Sequence, residues 1–416
     1  MFDYYNYFTS NLSLSYIIIS ELIKYKLSFI TYNNAIINIC EKIIQVNVLY
    51  VKVVQWNIQD YFNIDDELKL YLYKFNSNAP YSDDDIDYNC INKLETHFKD
   101  RLIFDKTPVN SGTTSIIFKG IFNGKTVAIK VLKKNIYKKI ENGIENITNL
   151  LCTVTYILSF FYKTNTNLHR LLSNNKKLLL KQCDFLNENK NLEIFKNKHI
   201  TNTDIVVPNV YAEFTEFDNN VIVMDYLDGR NLNYEKKPEL APYKQQIKDL
   251  IVNSYYFFKV IHADLHAGNI ILLDDNKVGI IDFGIIVELT NKQCNHIFKF
   301  FLSLNLCDMT MFKKSLVNLL LKNKNDIEKI EDIVREPLDL VKDNIFSKKN
   351  KACVKSIVKA LQLIIIRIDG DVDIDPSISY ILLSFISCIH ILEKLDDEKG
   401  LGNLIKNHLN VDDFLN

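Results

Sequence analysis

Residues 262–269 read His-Ala-Asp-Leu-His-Ala-Gly-Asn, and residues 282–284 read Asp-Phe-Gly. The stretch between these two runs reads as two short strands, 270–273 and 277–281, around Asp-Asp-Asn at residues 274–276, which predicts a β-hairpin. Such a hairpin returns Asp282 to the side of Asn269. Because Mg²⁺ binds few protein oxygens and keeps its other positions for water and phosphate, this amide and this carboxylate are suitable ligands. The two runs therefore predict a magnesium site.

Asp264 lies in the same run as Asn269, and its carboxylate suggests a role other than metal binding. Phosphoryl transfer needs a carboxylate at the acceptor hydroxyl, next to the metal that holds the phosphates. We expect Asp264 to position or deprotonate the acceptor, with His262 as a further catalytic residue. The alternative is a turn rich in His and Asp that precedes an unrelated hairpin. The match of the whole set in identity and spacing argues against that alternative.

An earlier part of the chain reads as a hairpin that carries one lysine in its returning strand. Ser115–Phe122 and Lys125–Leu132 alternate around Asn123-Gly124, a pair of residues that tolerates the positive φ of a tight turn. A lone lysine on a strand is usually solvated. Ahead of the 262–284 set, however, Lys130 has the position of the lysine that binds the α- and β-phosphates in a kinase.

The first arm of this hairpin begins where a kinase has its glycine-rich phosphate loop, Gly-x-Gly-x-x-Gly. Only the middle glycine, Gly112, is present, and Asn110 and Ser115 occupy the other two positions. A single glycine is weak evidence for a phosphate loop. Its position just before the strand that carries Lys130 is what supports the assignment. We expect the nucleotide to contact four residues here: Val109, Ser111, Gly112 and Thr113.

The chain divides by pattern into three regions: a helical extension at 1–100, a β-rich lobe with a helical insertion at 101–224, and a helical lobe with the second hairpin at 225–416. This order predicts an α+β, bilobal protein kinase-like fold, with a small β-rich N-lobe, a helical C-lobe and an N-terminal helical extension. The charge-free stretch 376–392 reads as a buried helix because it is shorter than a membrane span needs.

Composition excludes several classes of protein. With 50 Lys+Arg against 51 Asp+Glu, the chain lacks the basic excess of a nucleic-acid binder. Its 8 cysteines are scattered without a Cys-x-x-Cys pair, which favours reduced thiols in the core. No signal or transit peptide is readable, so we expect an intracellular, soluble, cytoplasmic protein. Ile, Asn, Lys and Tyr, the residues of AT-rich codons, are abundant, which suggests an AT-biased genome such as that of a parasite or a large virus, and the low glycine count of 11 is a consequence of the same bias.

Taken together, these residues resemble the UbiB/ADCK (aarF-domain) family of atypical kinases, over roughly residues 45–290. The catalytic loop of that family reads His-x-Asp-x-His-x-Gly-Asn. Residues 262–269 match it, including His266 and Gly268, where ordinary protein kinases differ. The family's alanine-rich nucleotide loop follows a proline, and Pro108 falls at that place, although the alanines are absent.

Two further segments carry the resemblance. The family's N-terminal extension contains Lys-x-Gly-Gln, which is matched at Lys52 and Gln55 with a valine in place of the glycine. Its Glu-x-Asp-Phe-x-x-Glu segment corresponds to residues 182–188, where glutamine replaces the first glutamate and Asp184 and Glu188 are kept.

The resemblance implies a kinase-like protein that binds ATP or ADP with Mg²⁺. It implies an ion pair between Lys130 and Glu188, and a hinge at Asp225 and Tyr226 beside the nucleotide. In the family, the extension restricts access of protein substrates, which assigns regulatory roles to Lys52, Gln55 and Asp184. The family's link to isoprenoid-lipid metabolism implies a lipid or small-molecule substrate and peripheral membrane association.

Three functions remain open. No Ala-Pro-Glu segment follows Gly284, and a protein kinase needs such a long segment to dock a peptide, so a small-molecule, lipid or very restricted substrate is favoured. The first function is an active phosphotransferase or ATPase of this family. The second is a small-molecule kinase of the aminoglycoside or choline type, which has no Lys52/Gln55 extension. The third is a nucleotide-binding pseudokinase that acts as a regulatory module, suggested by the eroded phosphate loop.

Overall fold

The computed structural model describes residues 2–47, 50, 68, 71, 78–159, 176–177, 179–321, 326–345, 354–367 and 377–395. The chain forms two compact units. The first comprises Met1–Asn189 and Asn209–Tyr226, and the second comprises Lys190–Pro208 and Leu227–Asn416. The division into 1–100, 101–224 and 225–416 stays a prediction.

The first unit is built on an antiparallel sheet with the order β1-β3-β4-β6, and β2 pairs with β3. Its strands are β1 (Leu102–Phe104), β2 (Asn110–Ser111), β3 (Ser115–Phe122), β4 (Lys125–Leu132) and β6 (Val221–Asp225). Its helices are α1 (Phe2–Lys26), α2 (Tyr32–Val46), α3 (Tyr88–Phe98), α4 (Ile136–Ser159), α5 (Phe185–His199), which ends in the second unit, and α6 (Ala212–Phe217).

The hairpin of β3 and β4 has the predicted strands and turn. Ser115 pairs with Leu132 at one end and Phe122 with Lys125 at the other. At the turn, Asn123 and Gly124 have φ values of 48° and 80°, as the right-handed twist of a two-residue hairpin requires.

The two faces of β4 enter different hydrophobic clusters, because successive side chains of a strand point to opposite sides. Val127, Ile129 and Val131 are buried with apolar residues of α3 and α6. On the other face, Leu132 packs with four buried isoleucines at helical spacing on α4: Ile136, Ile140, Ile144 and Ile147. Lys130 lies on this second face.

The second unit contains a sheet with the order β5-β10-β9-β7 and a separate pair, β11-β8. Its strands are β5 (Ile205–Val206), β7 (Arg230–Asn231), β8 (Val260–His262), β9 (Ile270–Leu272), β10 (Val278–Ile280) and β11 (Ile286–Glu288). Its helices are α7 (Lys244–Tyr256), α8 (Asn291–Leu306), α9 (Met309–Leu320), α10 (Ile327–Ile345), α11 (Val354–Arg367) and α12 (Ser377–Lys394). The mixed α+β architecture has the small β-rich part and the larger helical part of a kinase-like fold.

Local sequence features define two helices of the second unit. Thr290 caps α8: its hydroxyl accepts from the Gln293 backbone N–H at 3.2 Å, and the Gln293 side chain accepts from the Thr290 N–H at 2.8 Å. The charge-free C-terminal stretch forms α12, whose Leu382 and Phe385 are fully buried. Within the described residues, no helix is both long and apolar enough to cross a membrane.

Candidate functional site

The catalytic loop and the second hairpin bring Asn269 and Asp282 together within the second unit. Strands β9 and β10 pair so that Ile270 lies opposite Ile280. The Ile281 N–H then donates to the Asn269 carbonyl at 3.0 Å, and Asp282 follows directly. The Asn269 side-chain nitrogen donates to the Asp264 carbonyl at 3.0 Å, which fixes the orientation of the amide. The predicted neighbours are therefore held together by backbone bonds, with the amide oriented by its nitrogen.

His262 holds the backbone on both sides of this site. Its Nε2–H donates to the Asp282 carbonyl, and its Nδ1 accepts from the Asp264 N–H at 3.2 Å. Burial lowers the pKa of His262 below its ordinary value. A neutral ring with both nitrogens engaged is suited to positioning Asp264 and Asp282. The catalytic role that the sequence suggests for His262 stays a prediction.

Asp282 has an unusual backbone conformation. Its φ is 65°, in the left-handed region that residues other than glycine rarely adopt. The carboxylate oxygen Oδ1 accepts from the Gly284 N–H at 3.1 Å, and the next side chain, Phe283, is fully buried. Such conformations persist where surrounding contacts impose them, and they cluster at functional sites.

The ion pair expected for Glu188 is present in the first unit. Lys130 Nζ donates to both carboxylate oxygens of Glu188, at 2.8 and 2.9 Å. Both side chains are buried, and the Lys130 ammonium lies 5.2 Å from the ring centroid of Phe185. Separating the two side chains would leave each charge buried and uncompensated, which is costly. The ion pair therefore holds Lys130 and Glu188 in fixed positions.

The segment predicted to contact phosphates forms a closed turn. The Ser111 N–H donates to the Asn110 side chain at 2.7 Å, and the Gly112 N–H donates to the Ser115 carbonyl at 2.8 Å. The Ser111 side chain is fully buried and that of Thr113 is nearly so, whereas Val109 is 52% exposed. Two of the N–H groups that a phosphate loop offers are thus already engaged. Nucleotide contact by Val109, Ser111, Gly112 and Thr113 stays a prediction.

The hinge residues mainly stabilise the end of the sheet. The Asp225 carboxylate accepts from the Asn209 N–H at 3.1 Å and from the Tyr211 hydroxyl at 2.7 Å. The Tyr226 N–H donates to the Thr126 carbonyl at 3.1 Å. Contact of Asp225 and Tyr226 with a nucleotide stays a prediction.

The regulatory residues are only partly within the described structure. Asp184 precedes α5, and its carboxylate accepts from the Asn187 N–H at 3.0 Å at the start of that helix. Lys52 and Gln55 lie outside the described residues. The regulatory roles of all three stay predictions.

One residue in contact with the site was missed by the sequence reasoning. Asn191 on α5 is 8% exposed, and its side-chain nitrogen donates to the carbonyls of Phe283 and Gly284 at 2.8 and 3.3 Å. Its only signal in the sequence is its place one helical turn after Glu188. That spacing does not reveal which distant backbone groups it meets.

The family model of the ABC1 atypical kinase-like domain matches residues 76–316, which is more than half of the 416-residue chain. The chain belongs to the ABC1 atypical kinase-like family. The ABC1 match includes Lys130, Glu188, the catalytic loop and Asp282. Together with the aarF-domain relatives, it confirms the resemblance to UbiB/ADCK proteins.

Curated relatives of this ABC1 chain are similar over less than half of its length. A probable serine/threonine-protein kinase, abkB of Dictyostelium discoideum, is 26% identical over 193 residues, which are 43% of this chain and 28% of that protein. An uncharacterized chloroplastic aarF domain-containing protein kinase of Arabidopsis thaliana is 28% identical over 200 residues, 45% of this chain and 36% of that protein. The chain thus spans well under half the length of these relatives.

Among solved structures, a complex of Rv3197 with erythromycin from Mycobacterium tuberculosis is similar to this ABC1 chain with a TM-score of 0.47 and 14% identity. The similarity covers 86% of this chain and 89% of that one.

Proposed function

We propose that this chain binds ATP or ADP with Mg²⁺ and acts as a phosphotransferase or ATPase. The observation that carries the proposal is the register of β9 and β10, which leads the chain from Asn269 back to Asp282. An amide oxygen and a carboxylate form a donor set that fits Mg²⁺, whose remaining positions are filled by water and phosphate oxygens.

Each side chain has a role that its surroundings support. Asn269 and Asp282 would hold the ion, which neutralises phosphate charge when bound. Asp264 would orient or deprotonate the acceptor hydroxyl, since its backbone is held by His262. Lys130, kept in place by Glu188, would bind the phosphates.

The acceptor that we propose is a small molecule or an isoprenoid lipid. After Gly284 the chain enters β11, which pairs with β8, and α8 begins at Asn291. A peptide substrate needs a long activation segment at this point. The short connection between Gly284 and α8 supports an acceptor that requires no peptide-docking surface.

The test is nucleotide binding by Asp282→Asn, measured by calorimetry and by thermal shift with ATP and ADP, each with and without Mg²⁺. We expect the Mg²⁺-dependent part of the affinity to fall at least about tenfold, because loss of even an indirect metal contact costs that much. Asp275→Asn is the matched control, since Asp275 is exposed in the turn of the same hairpin. Unchanged Mg²⁺-dependent affinity in Asp282→Asn would contradict the proposal.

A regulatory, nucleotide-binding pseudokinase is the second candidate. The observation that favours it is the closed turn at residues 110–115, whose Ser111 and Gly112 N–H groups are already engaged. ATP turnover that disappears in Asp264→Ala would support the enzyme. Mg²⁺-dependent binding with no turnover above background would support the regulatory module. Membership in the ABC1 family favours both over a kinase of the aminoglycoside or choline type.

A further inference from the structure

Asn191 is a buried amide in the interior of a helix, where an asparagine gains little from the helix itself. Asparagine is a weak helix former because its side chain competes for backbone hydrogen bonds. Burial of its amide is costly unless the amide is hydrogen-bonded. The two bonds from its side-chain nitrogen, at 2.8 Å to the Phe283 carbonyl and 3.3 Å to the Gly284 carbonyl, satisfy that requirement. The side chain is therefore placed for this contact.

The segment that Asn191 contacts follows directly on a residue with a strained backbone. Asp282 has a φ of 65°, which is unfavourable for a residue with a Cβ. His262 binds the carbonyl of Asp282, and Asn191 binds the carbonyls of the next two residues, Phe283 and Gly284. Two buried side chains thus bind three consecutive carbonyls, those of residues 282–284. These bonds hold the backbone of Asp282 in its unusual conformation.

A neighbouring residue of the same helix fixes the side chain within this segment. Phe195, one turn after Asn191 on α5, lies with its ring centroid 5.5 Å from that of Phe283. Both rings are fully buried. Helix α5 therefore contacts the segment through an apolar side chain and through a polar one. The apolar contact sets where Phe283 packs, whereas the amide of Asn191 binds the two carbonyls and so acts on their direction.

We propose that Asn191 is a positioning residue, which holds the Asp282-Phe283-Gly284 backbone so that the Asp282 carboxylate is directed to the metal. The part of this inference that concerns Mg²⁺ rests on the proposed function. Residues that orient a metal ligand from behind typically change metal affinity 10–100-fold when they are replaced. A residue needed only for folding would lower stability without changing the requirement for Mg²⁺.

The test compares three variants of α5. Asn191→Leu keeps a similar volume and removes both donated bonds, and Asn191→Gln restores a donor amide. Asn189→Leu is the matched control, because Asn189 donates a 2.9 Å bond from the same helix to the hydroxyl of Thr215 instead. The first readout is the Mg²⁺ concentration for half-maximal nucleotide binding. The second is amide hydrogen exchange of residues 281–287 in the protein without nucleotide or Mg²⁺.

We expect Asn191→Leu to raise the half-maximal Mg²⁺ concentration about 10–100-fold while Mg²⁺-free nucleotide affinity changes less than about twofold. Exchange across 281–287 should become faster, since fewer bonds resist local opening. Asn191→Gln should restore both quantities in part, and Asn189→Leu should change neither.

Two results would overturn the inference: unchanged exchange in Asn191→Leu, or faster exchange with an unchanged Mg²⁺ requirement, which would reduce Asn191 to a structural contact. If the wild-type protein shows no Mg²⁺-dependent nucleotide binding, the proposed function fails and the metal role fails with it. The exchange measurement then still decides whether Asn191 holds the segment.

Discussion

Two lysines near the end of β4 show how the protonation of a buried ammonium group depends on its partner. Lys130 is paired with both oxygens of Glu188. Lys133 is 2% exposed, and its ammonium donates to the Pro80 carbonyl at 3.3 Å. The carboxylate that it faces, Asp85, is bound by Lys139 at 2.5 Å. Burial therefore lowers the pKa of Lys133 to about 8.

This lowered pKa predicts a specific pH dependence of stability. In the unfolded chain the amine of Lys133 stays protonated up to its ordinary pKa of 10.5, whereas in the folded protein it loses the proton near pH 8. The unfolded state binds more protons between these values, so this site adds stability as the pH rises through that window. The gain is about 3 kcal/mol in the free energy of unfolding.

Thermal unfolding of the wild type and Lys133→Met from pH 7 to 10.5 measures this effect. The stability of the wild type relative to Lys133→Met should rise across the window. Lys134→Met is the control, because Lys134 is exposed and should give a curve parallel to that of the wild type. Parallel curves for Lys133→Met as well would contradict the assignment.

At the scale of elements, the second hairpin depends on how closely the preceding strand approaches it. Gly229 lies just before β7, and a Cβ built there would be 2.5 Å from the Leu272 carbonyl oxygen and 2.7 Å from Ile271 Cγ2. A backbone oxygen cannot rotate away as a flexible side chain can. The glycine is therefore required for β7 to pair with β9, the strand that leads out of the catalytic loop.

Gly229→Ala should destabilise the second unit by roughly 1–3 kcal/mol, the usual cost of forcing extra atoms into a packed position. The midpoint of chemical denaturation, followed by tyrosine fluorescence, checks the change. Gly124→Asn is the control, because that turn position has a φ of 80° and open space, and asparagine tolerates the left-handed region. A wild-type midpoint for Gly229→Ala would show that β7 can shift without cost.

At the scale of the whole molecule, each compact unit has its own aromatic core. In the second unit, the Phe385 ring of α12 lies 4.8 Å from that of Phe300 and 5.0 Å from that of Phe301. In the first unit, the Phe214 ring lies 4.2 Å from that of Phe98 and 4.9 Å from that of Phe122. Each unit can thus bury apolar surface through its own contacts.

Phe385→Ala and Phe214→Ala should each lower the stability of their own unit by about 3–5 kcal/mol, the typical cost of a large cavity. Hydrogen exchange resolved by peptide distinguishes the two. Phe385→Ala should speed exchange in α8 and α12, whereas Phe214→Ala should speed it in β3 and β4. If either variant speeds hydrogen exchange equally in both units, the two units unfold together as one cooperative unit.

Much of the fold was predictable because its signals are local. Alternation of apolar residues around Asn123-Gly124 predicted the first hairpin, and the two short strands on either side of residues 274–276 predicted the second. The neighbouring positions of Asn269 and Asp282 followed from the length of the second hairpin alone. Each of these features depends on residues close together in the chain, where turn geometry and strand period leave few alternatives.

The surroundings of the site were decided by tertiary structure. The bond from Asn191 to Phe283 joins residues 92 positions apart, and the bond from Lys133 to Pro80 joins residues 53 apart. No local pattern marks either one. The closed turn around Gly112 is likewise invisible in the sequence, because a motif records which residues are present but not which N–H groups are already engaged. The sequence by itself determined which side chains are the candidates proposed to hold a metal and phosphates. Only the contacts within each unit, between Lys130 and Glu188 in the first and between Asn191 and residues 283–284 in the second, decided how those side chains are held, since they join distant segments of the chain.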